Sequence, residues 1–231
     1  MRRFLTVCAI WMVVLGLETR CWSEDVRVQV KIVHEKNARD VSNANVVVWL
    51  TPLGTTNPPA PLERVRLLQK NKKFVPHLLA VTVGTSVEFP NEDPFFHNVF
   101  SLYKGKRFDL GLYEAGSSRA VKFDHPGVSF IFCNIHPEMS ATVIALPTAL
   151  FAVTKADGEA LIRNVPEGRY RMEVWYERST PDALRLLTKE LSLPAGKALA
   201  VEVPELIPEN IPHKNKYGQE YDTTNSYGTQ Q

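Results

Sequence analysis

Cys133-Asn134-Ile135-His136-Pro137-Glu138-Met139 is the most informative segment of this 231-residue chain for predicting its fold. It lies between two apolar segments of strand length, residues 128–132 and 141–146. Two such segments joined by a short loop with a proline predict a β-hairpin. The loop would carry a thiol, an imidazole and a thioether within seven residues. Soft and borderline ligands grouped in this way indicate a transition-metal site.

Most of the remaining chain is also strand-like. Residues 26–33 alternate apolar and polar side chains, which is the period of a half-buried strand. No segment shows a helical period over three turns, and glycine, proline and asparagine turns separate the short segments. The predicted fold class is all-β, with one β-sandwich followed by a smaller one. Further predicted strands are 45–50, 79–83, 86–89, 98–102, 119–123, 151–154, 159–162, 169–176, 183–193 and 198–203.

The turn at Pro147 is the predicted boundary between the two sandwiches. Residues 24–147 are predicted to form the domain that carries the ligand loop, and residues 148–205 the second sandwich. Residues 206–231 are polar and are predicted to be disordered, because they offer little apolar surface to bury.

The N-terminus has the pattern of a secretory signal peptide. Arg2 and Arg3 precede the uncharged, mostly apolar residues 4–17. We expect a signal peptide over residues 1–23 with cleavage near Ser23 and Glu24, and a periplasmic or secreted protein. A transmembrane helix needs about 20 apolar residues, so no transmembrane segment is expected in the mature chain. Lipid attachment at Cys21 stays open as an alternative, although the residues before it do not match a lipobox.

Charge and cysteine usage narrow the function further. The formal net charge is +2, and the excess lies in the predicted signal peptide. A nearly neutral mature chain gives no reason to expect nucleic acid as a partner. Loss of Cys8 and Cys21 with the signal peptide would leave Cys133 as a single thiol, unable to form an internal disulfide. A buried, inert thiol is the alternative to a metal ligand.

The ligand types favour copper. A trigonal site of one thiolate and two imidazoles with a weak axial thioether is the type 1 copper arrangement. His97, at the start of a predicted strand, would supply the second imidazole. Zinc could use the same ligands, but the paired cysteine or histidine spacings of structural zinc sites are absent from the sequence.

The same region resembles the cupredoxin family, and the Cys-x-x-His-Pro-x-Met loop is most similar to amicyanin. The resemblance covers about residues 70–147. Its motifs are Val83-Gly84-Thr85-Ser86-Val87-Glu88-Phe89 with Asn91, then His97-Asn98-Val99, then Pro126-Gly127 before the strand that ends at Cys133.

The resemblance implies a Greek-key β-sandwich that holds one type 1 copper. His97 and His136 would be the imidazole ligands, Cys133 the thiolate and Met139 the axial thioether. The side chain of Asn98 would tie the two ligand-bearing loops together, which is the usual task of groups around a metal site.

The second sandwich resembles the carboxypeptidase regulatory-like or transthyretin-like modules, through Asn164-Val165-Pro166-Glu167-Gly168-Arg169-Tyr170 and Val174-Trp175. The combination of both sandwiches is similar to bacterial proteins of the methylamine-utilisation or plastocyanin-like kind. No residue of the chain indicates methylamine as a substrate.

These observations predict an electron carrier that exchanges single electrons with redox protein partners. It is not expected to be an enzyme, because no His-x-His pair offers further copper centres and no catalytic constellation is present. Pro94, Phe95, Phe96 and Pro137 should surround the metal, with the edge of His136 as the route for electrons.

Two other functions stay open. The chain could bind or store copper without cycling electrons, or it could be an envelope adhesion or carbohydrate-binding protein that uses Trp175 and Tyr176. His77 is a weaker candidate for a fifth contact or a supporting role at the metal site.

Overall fold

The protein is described by a computed structural model over residues 23–34, 42–54, 59–102, 105–195, 198–208 and 213–221. The predicted all-β class is confirmed. The predicted signal peptide and Cys21 lie outside the described residues, except for Ser23, which begins the first strand. In chain order the elements are β1 (Ser23–Val33), β2 (Val47–Pro52), β3 (Val65–Arg66), β4 (Leu68–Lys70), β5 (Lys73–Val75), β6 (Leu78–Thr82), β7 (Ser86–Pro90), β8 (His97–Ser101), β9 (Phe108–Tyr113), β10 (Ser118–Lys122), β11 (Gly127–Cys133), β12 (Ser140–Leu146), β13 (Phe151–Val153), β14 (Glu159–Pro166), β15 (Gly168–Trp175), α1 (Pro181–Leu186), β16 (Lys189–Leu193) and β17 (Leu199–Pro204).

The first sandwich is formed by strands from β3 to β12. A sheet of order β6-β12-β11-β8-β9 packs on a sheet of order β10-β7-β3, and β4 and β5 form a separate hairpin. Strands β11 and β12 pair antiparallel, so the stretch from Cys133 to Met139 is the loop of a hairpin, as predicted. The buried core between the sheets includes Val81, Val87, Phe89, Val99, Phe123, Ile131, Cys133, Met139 and Val143.

The turn at Gly84 differs from its predicted role. It does not close a hairpin, because β6 pairs with β12 in one sheet and β7 pairs with β10 in the other. The turn therefore carries the chain from one layer to the opposite layer. Gly84 adopts a φ of 91°, a conformation that glycine reaches without a Cβ penalty.

The second sandwich includes the N-terminal strands. Its sheets have the orders β14-β1-β17 and β13-β2-β15-β16. Strands β1 and β2 therefore belong with strands β13 to β17, which differs from the predicted domains 24–147 and 148–205. The physical reason is burial: the apolar side of β1, from Val26 to Ile32, fills the core of this sandwich.

One helix replaces part of a predicted strand. Residues 183–193 were expected to be extended, but α1 occupies Pro181–Leu186 and only β16 is a strand. The Thr180 hydroxyl accepts a hydrogen bond from the Ala183 N–H and caps the helix. No helix among the described residues is long and apolar enough to cross a membrane.

An apolar contact joins the two sandwiches. Ile144 and Leu146 are buried in the same cluster as Val47, with Trp49 and Trp175 packed against it. The second sandwich thus supports β12, the strand that leaves the ligand loop.

The structure describes residues 213–221 of the C-terminal segment. Residues 213–221 form a turn that lies against the ligand loop, through Lys216 and Tyr221. The prediction of disorder is wrong for these residues, because they make specific hydrogen bonds. Residues 209–212 and 222–231 lie outside the described part of the chain.

Candidate metal centre

The ligand loop is a tight connection closed by backbone hydrogen bonds. Strand β11 ends at Cys133, and the Cys133 N–H donates to the Met139 carbonyl at 3.2 Å. Inside the loop, the Met139 N–H donates to the His136 carbonyl at 3.1 Å. These two bonds hold the three side chains at one end of the sandwich.

Three side chains converge on one point. The Cys133 Sγ lies 3.6 Å from the Nδ1 of His97 and 3.6 Å from the Nδ1 of His136. The two Nδ1 atoms are 3.2 Å apart. Cys133 and His97 are fully buried, whereas His136 is partly exposed. Among the described residues, this is the group of histidine, cysteine, aspartate and glutamate side chains able to hold a metal ion.

The separations fit a metal ion. Metal–nitrogen bonds of about 2.0 Å and metal–sulfur bonds of about 2.3 Å place neighbouring ligands roughly 3.2–3.7 Å apart. The three observed separations match that range. A sulfur and two imidazole nitrogens with no second cysteine or histidine pair suit copper better than a structural zinc site.

Asp93 fixes the protonation of His97. The Nε2 of His97 lies 2.9 Å from Asp93 Oδ2, and the Asp93 side chain is 5% exposed. Because a carboxylate only accepts hydrogen bonds, this nitrogen carries the proton. The Nδ1 of His97 therefore presents its lone pair to the centre, as a metal ligand must.

Asp93 is itself held by the β4–β5 turn. The backbone N–H groups of Asn71 and Lys72 donate to its carboxylate at 2.5 and 2.9 Å. Burial alone would raise the pKa of Asp93, but the hydrogen bonds from Lys72, His97 and Asn71 outweigh it and lower that pKa. The result is an ionised carboxylate directed at the imidazole.

Burial keeps the other titratable groups of the site neutral without metal. It lowers the pKa of His97 and of His136, which leaves both imidazoles able to coordinate. Burial also raises the pKa of the Cys133 thiol, opposed by hydrogen bonds from the backbone of Asn98, Ile135 and His136. A cation bound there would favour the thiolate.

The surroundings of the cluster are apolar. Met139 is fully buried in the same apolar cluster as Cys133, at the end of the ligand loop. The ring of Phe95 packs against both imidazoles, with centroids 5.2 Å from His97 and 5.5 Å from His136. Phe96, Pro94 and Pro137 were also expected to surround the metal, but all three are exposed. The exposed fraction of Phe96 is 54%.

The side chain of Asn98 does not tie the two ligand loops together. Its Nδ2 donates to Asp109 at 2.7 Å, on the neighbouring strand β9, and its Oδ1 is buried without a hydrogen-bond partner. The backbone makes the connection instead, since the Asn134 N–H donates to the Asn98 carbonyl at 3.1 Å.

His77 lies away from the cluster. Its Nε2 is 2.6 Å from Glu177 of the second sandwich, and its Nδ1 is 3.2 Å from the Ser140 carbonyl. Both ring nitrogens thus face acceptors, and among the described hydrogen bonds neither contacts His97, Cys133 or His136.

The two aromatic residues considered for sugar stacking make contacts within the fold. Tyr176 is 7% exposed and donates to Glu205 at 2.8 Å. Trp175 packs in the apolar contact between the sandwiches.

Sequence reasoning missed Asp93, Lys216 and Tyr221. Asp93 had a readable signal: it precedes His97 by four residues within the turn Asn91-Glu92-Asp93-Pro94, where the Asn91 side chain caps the Asp93 N–H. Lys216 and Tyr221 had no signal, because they lie in a polar segment far along the chain.

No protein-family model matches the chain, and no curated protein matches it. Among solved structures, it is similar to a copper-containing nitrite reductase from Thermus scotoductus SA-01, at 24% identity and a TM-score of 0.36 over 42% of this chain and 26% of the reductase. It is also similar to a purple cupredoxin from Nitrosopumilus maritimus, at 23% identity and a TM-score of 0.33 over 36% and 99% of the two chains. An amicyanin from Paracoccus versutus aligns at 23% identity and a TM-score of 0.34 over 42% and 97%.

These overlaps are partial, and the copper chemistry proposed for this chain rests on the atoms of its own site. Over the described residues, the fold and the cluster define an all-β protein with two sandwiches and a candidate metal centre at the loop end of the first.

Proposed function

We propose that this chain is an exported type 1 copper protein that carries single electrons between redox partners. The observation that carries the proposal is the buried cluster of one Sγ and two Nδ1 atoms, all within 3.6 Å of each other. His97, Cys133 and His136 would hold the ion, with Met139 as the weak axial ligand. Copper in such a site supplies a one-electron couple.

The chain's own residues favour electron exchange with little rearrangement. Asp93 and the backbone hydrogen bonds hold His97 and Cys133 in place before any metal binds. The partly exposed His136 and the exposed Phe96 and Ile135 offer an apolar surface on which a redox protein could dock. Because Phe95 covers both imidazoles, water has little access to the buried side.

Export is part of the proposal and rests on the N-terminal sequence. Absence of enzymatic activity also stays a prediction, motivated by the single group of possible metal ligands among the described residues.

Voltammetry of the copper-loaded full chain tests electron transfer against storage. A reversible one-electron couple, with rapid self-exchange between oxidised and reduced protein, is expected. Tight copper binding with an irreversible or very slow couple would support storage and would overturn the electron-carrier function.

A further inference from the structure

Residues 213–221, here called the C-terminal strap, lie against the ligand loop. We propose that this strap positions the loop that carries Cys133, His136 and Met139, with Tyr221 and Lys216 as the positioning residues. The link to copper chemistry rests on the proposed function, whereas the contacts themselves do not.

The first contact reaches the thiol ligand itself. The Tyr221 hydroxyl donates to the Cys133 carbonyl at 2.8 Å. The Cys133 N–H is already bonded to the Met139 carbonyl within the loop. Tyr221 therefore holds the peptide group on the other side of Cys133, and the direction of the Sγ depends on both.

The second contact joins the loop to strand β8. The Lys216 N–H donates to Asn134 Oδ1 at 2.9 Å, and the Lys216 Nζ lies 2.8 Å from Asp109. Asp109 in turn accepts from the Asn98 side chain at 2.7 Å. Because Asn98 follows His97 in β8, Lys216 connects the two segments that carry the candidate ligands.

The strap has a shape of its own. The Asn215 side chain accepts hydrogen bonds from the N–H groups of Tyr217 and Gln219, which forms a capped turn. At its start, the ring of His213 stacks on Phe132, with centroids 4.0 Å apart. Because Phe132 directly precedes Cys133, the strap contacts strand β11 just before the ligand loop through His213, and the loop itself through Lys216 and Tyr221.

Lys216 contributes to the link between the two ligand segments that was predicted for Asn98 alone. A direct bridge by Asn98 was expected to tie the ligand segments, but its side chain reaches only Asp109. Lys216 supplies the second half of that bridge. Ligand geometry would then depend on a segment outside both sandwiches.

The test uses the metal-free full chain with Cys8→Ser and Cys21→Ser, so that Cys133 is its one remaining thiol. Cys133 is fully buried, so a disulfide reagent such as 5,5′-dithiobis(2-nitrobenzoate) reacts only when the loop opens. Tyr221→Phe removes the hydrogen bond to the Cys133 carbonyl together with a 3.3 Å contact to His213 Nδ1, and Lys216→Met removes one ion pair. We expect the thiol to react at least about five times faster in Tyr221→Phe, which is the effect of losing the hydrogen bond to Cys133 alone, and fastest in the double variant. Lys214→Met is the control, because Lys214 is an exposed lysine of the same segment and no side-chain ion pair is described for it.

The copper-loaded proteins give a second readout that general stability would not move. We expect the thiolate-to-copper band and the reduction potential to shift in Tyr221→Phe and Lys216→Met and to stay unchanged in Lys214→Met, with little change in melting temperature. Thiol rates within twofold of the wild type in both variants, or an equal rise in the control, would overturn the positioning role. A wild type without a copper band would refute the proposed function, while faster thiol reaction in Tyr221→Phe would still support the strap.

Discussion

Replacement of Asp93 by asparagine is predicted to raise the reduction potential of the copper-loaded protein by about 100 mV. The substitution keeps the size of the side chain but removes a buried negative charge that lies 2.9 Å from His97 Nε2. Across the imidazole ring, the carboxylate would be roughly 7 Å from the ion, so at an effective dielectric constant of about 20 the lost attraction is about 2 kcal/mol. The oxidised ion carries one more positive charge and loses more from this change. A tenfold change in the one-electron equilibrium corresponds to about 59 mV, which gives the predicted shift.

The assay is voltammetry at constant ionic strength, with Glu92→Gln as the matched control. Glu92 is the neighbouring residue and pairs with Lys70 at 3.1 Å rather than with His97. Its substitution removes the same formal charge, but from an exposed side chain that solvent screens. We expect a shift several times smaller in the control. Equal shifts in Asp93→Asn and Glu92→Gln, or a lower potential in Asp93→Asn, would refute the role given to Asp93.

Two further predictions concern Met139 and His77. Met139→Leu should keep the fully buried position filled, and should lower the free energy of unfolding by less than about 1.5 kcal/mol. It should raise the reduction potential, because the weak axial donor is lost. An unchanged potential would show that Met139 is not a ligand. The hydrogen bond that His77 donates to Glu177 raises the pKa of His77, so the pair should stabilise the fold most below the unfolded pKa of 6.5 and lose this effect as the pH rises through the raised value. The free energy of urea unfolding should thus differ more between the metal-free wild type and His77→Gln at pH 5.5 than at pH 9. The difference should stay below about 1 kcal/mol, because both side chains are partly exposed. A larger difference at pH 9 would contradict the predicted pH dependence.

The ligand loop could be predicted because its signals are local. Cys133 and Met139 lie within one hairpin connection, whose length and flanking strands are visible in the sequence. The proximity of His97 to this loop could be predicted from its position at the start of a strand, near the same end of the sandwich. The structure brings His97, Cys133 and His136 together, whereas their role as copper ligands stays a prediction.

Strand pairing could not be predicted in the same way. The alternation in β1 shows that one side is buried, but it does not specify which strands are its neighbours. Strand β1 pairs antiparallel with β14 and parallel with β17, both more than a hundred residues further along the chain. Such pairings depend on the whole assembly, since a β pattern reports burial rather than partners.

Helix α1 was not predicted, although the sequence contains the signals of a helix start. Thr180 followed by Pro181 and Asp182 is an N-cap, a proline at the first helical position and an acid in the first turn. The apolar residues that follow suggested a strand, and the short helix was missed. Asp93 is a similar case, because its neighbours Phe95 and Phe96 gave the apolar signal from which the surroundings of the metal were predicted.

The most direct test of the copper site is the visible absorption spectrum of the full chain on titration with Cu(II), measured beside Cys133→Ser. We predict an intense thiolate-to-copper band that saturates at one ion per chain and is absent from Cys133→Ser, in which the serine leaves the buried position filled but supplies no thiolate. A colourless wild type, or a band that persists without Cys133, would contradict a type 1 site formed by His97, Cys133, His136 and Met139.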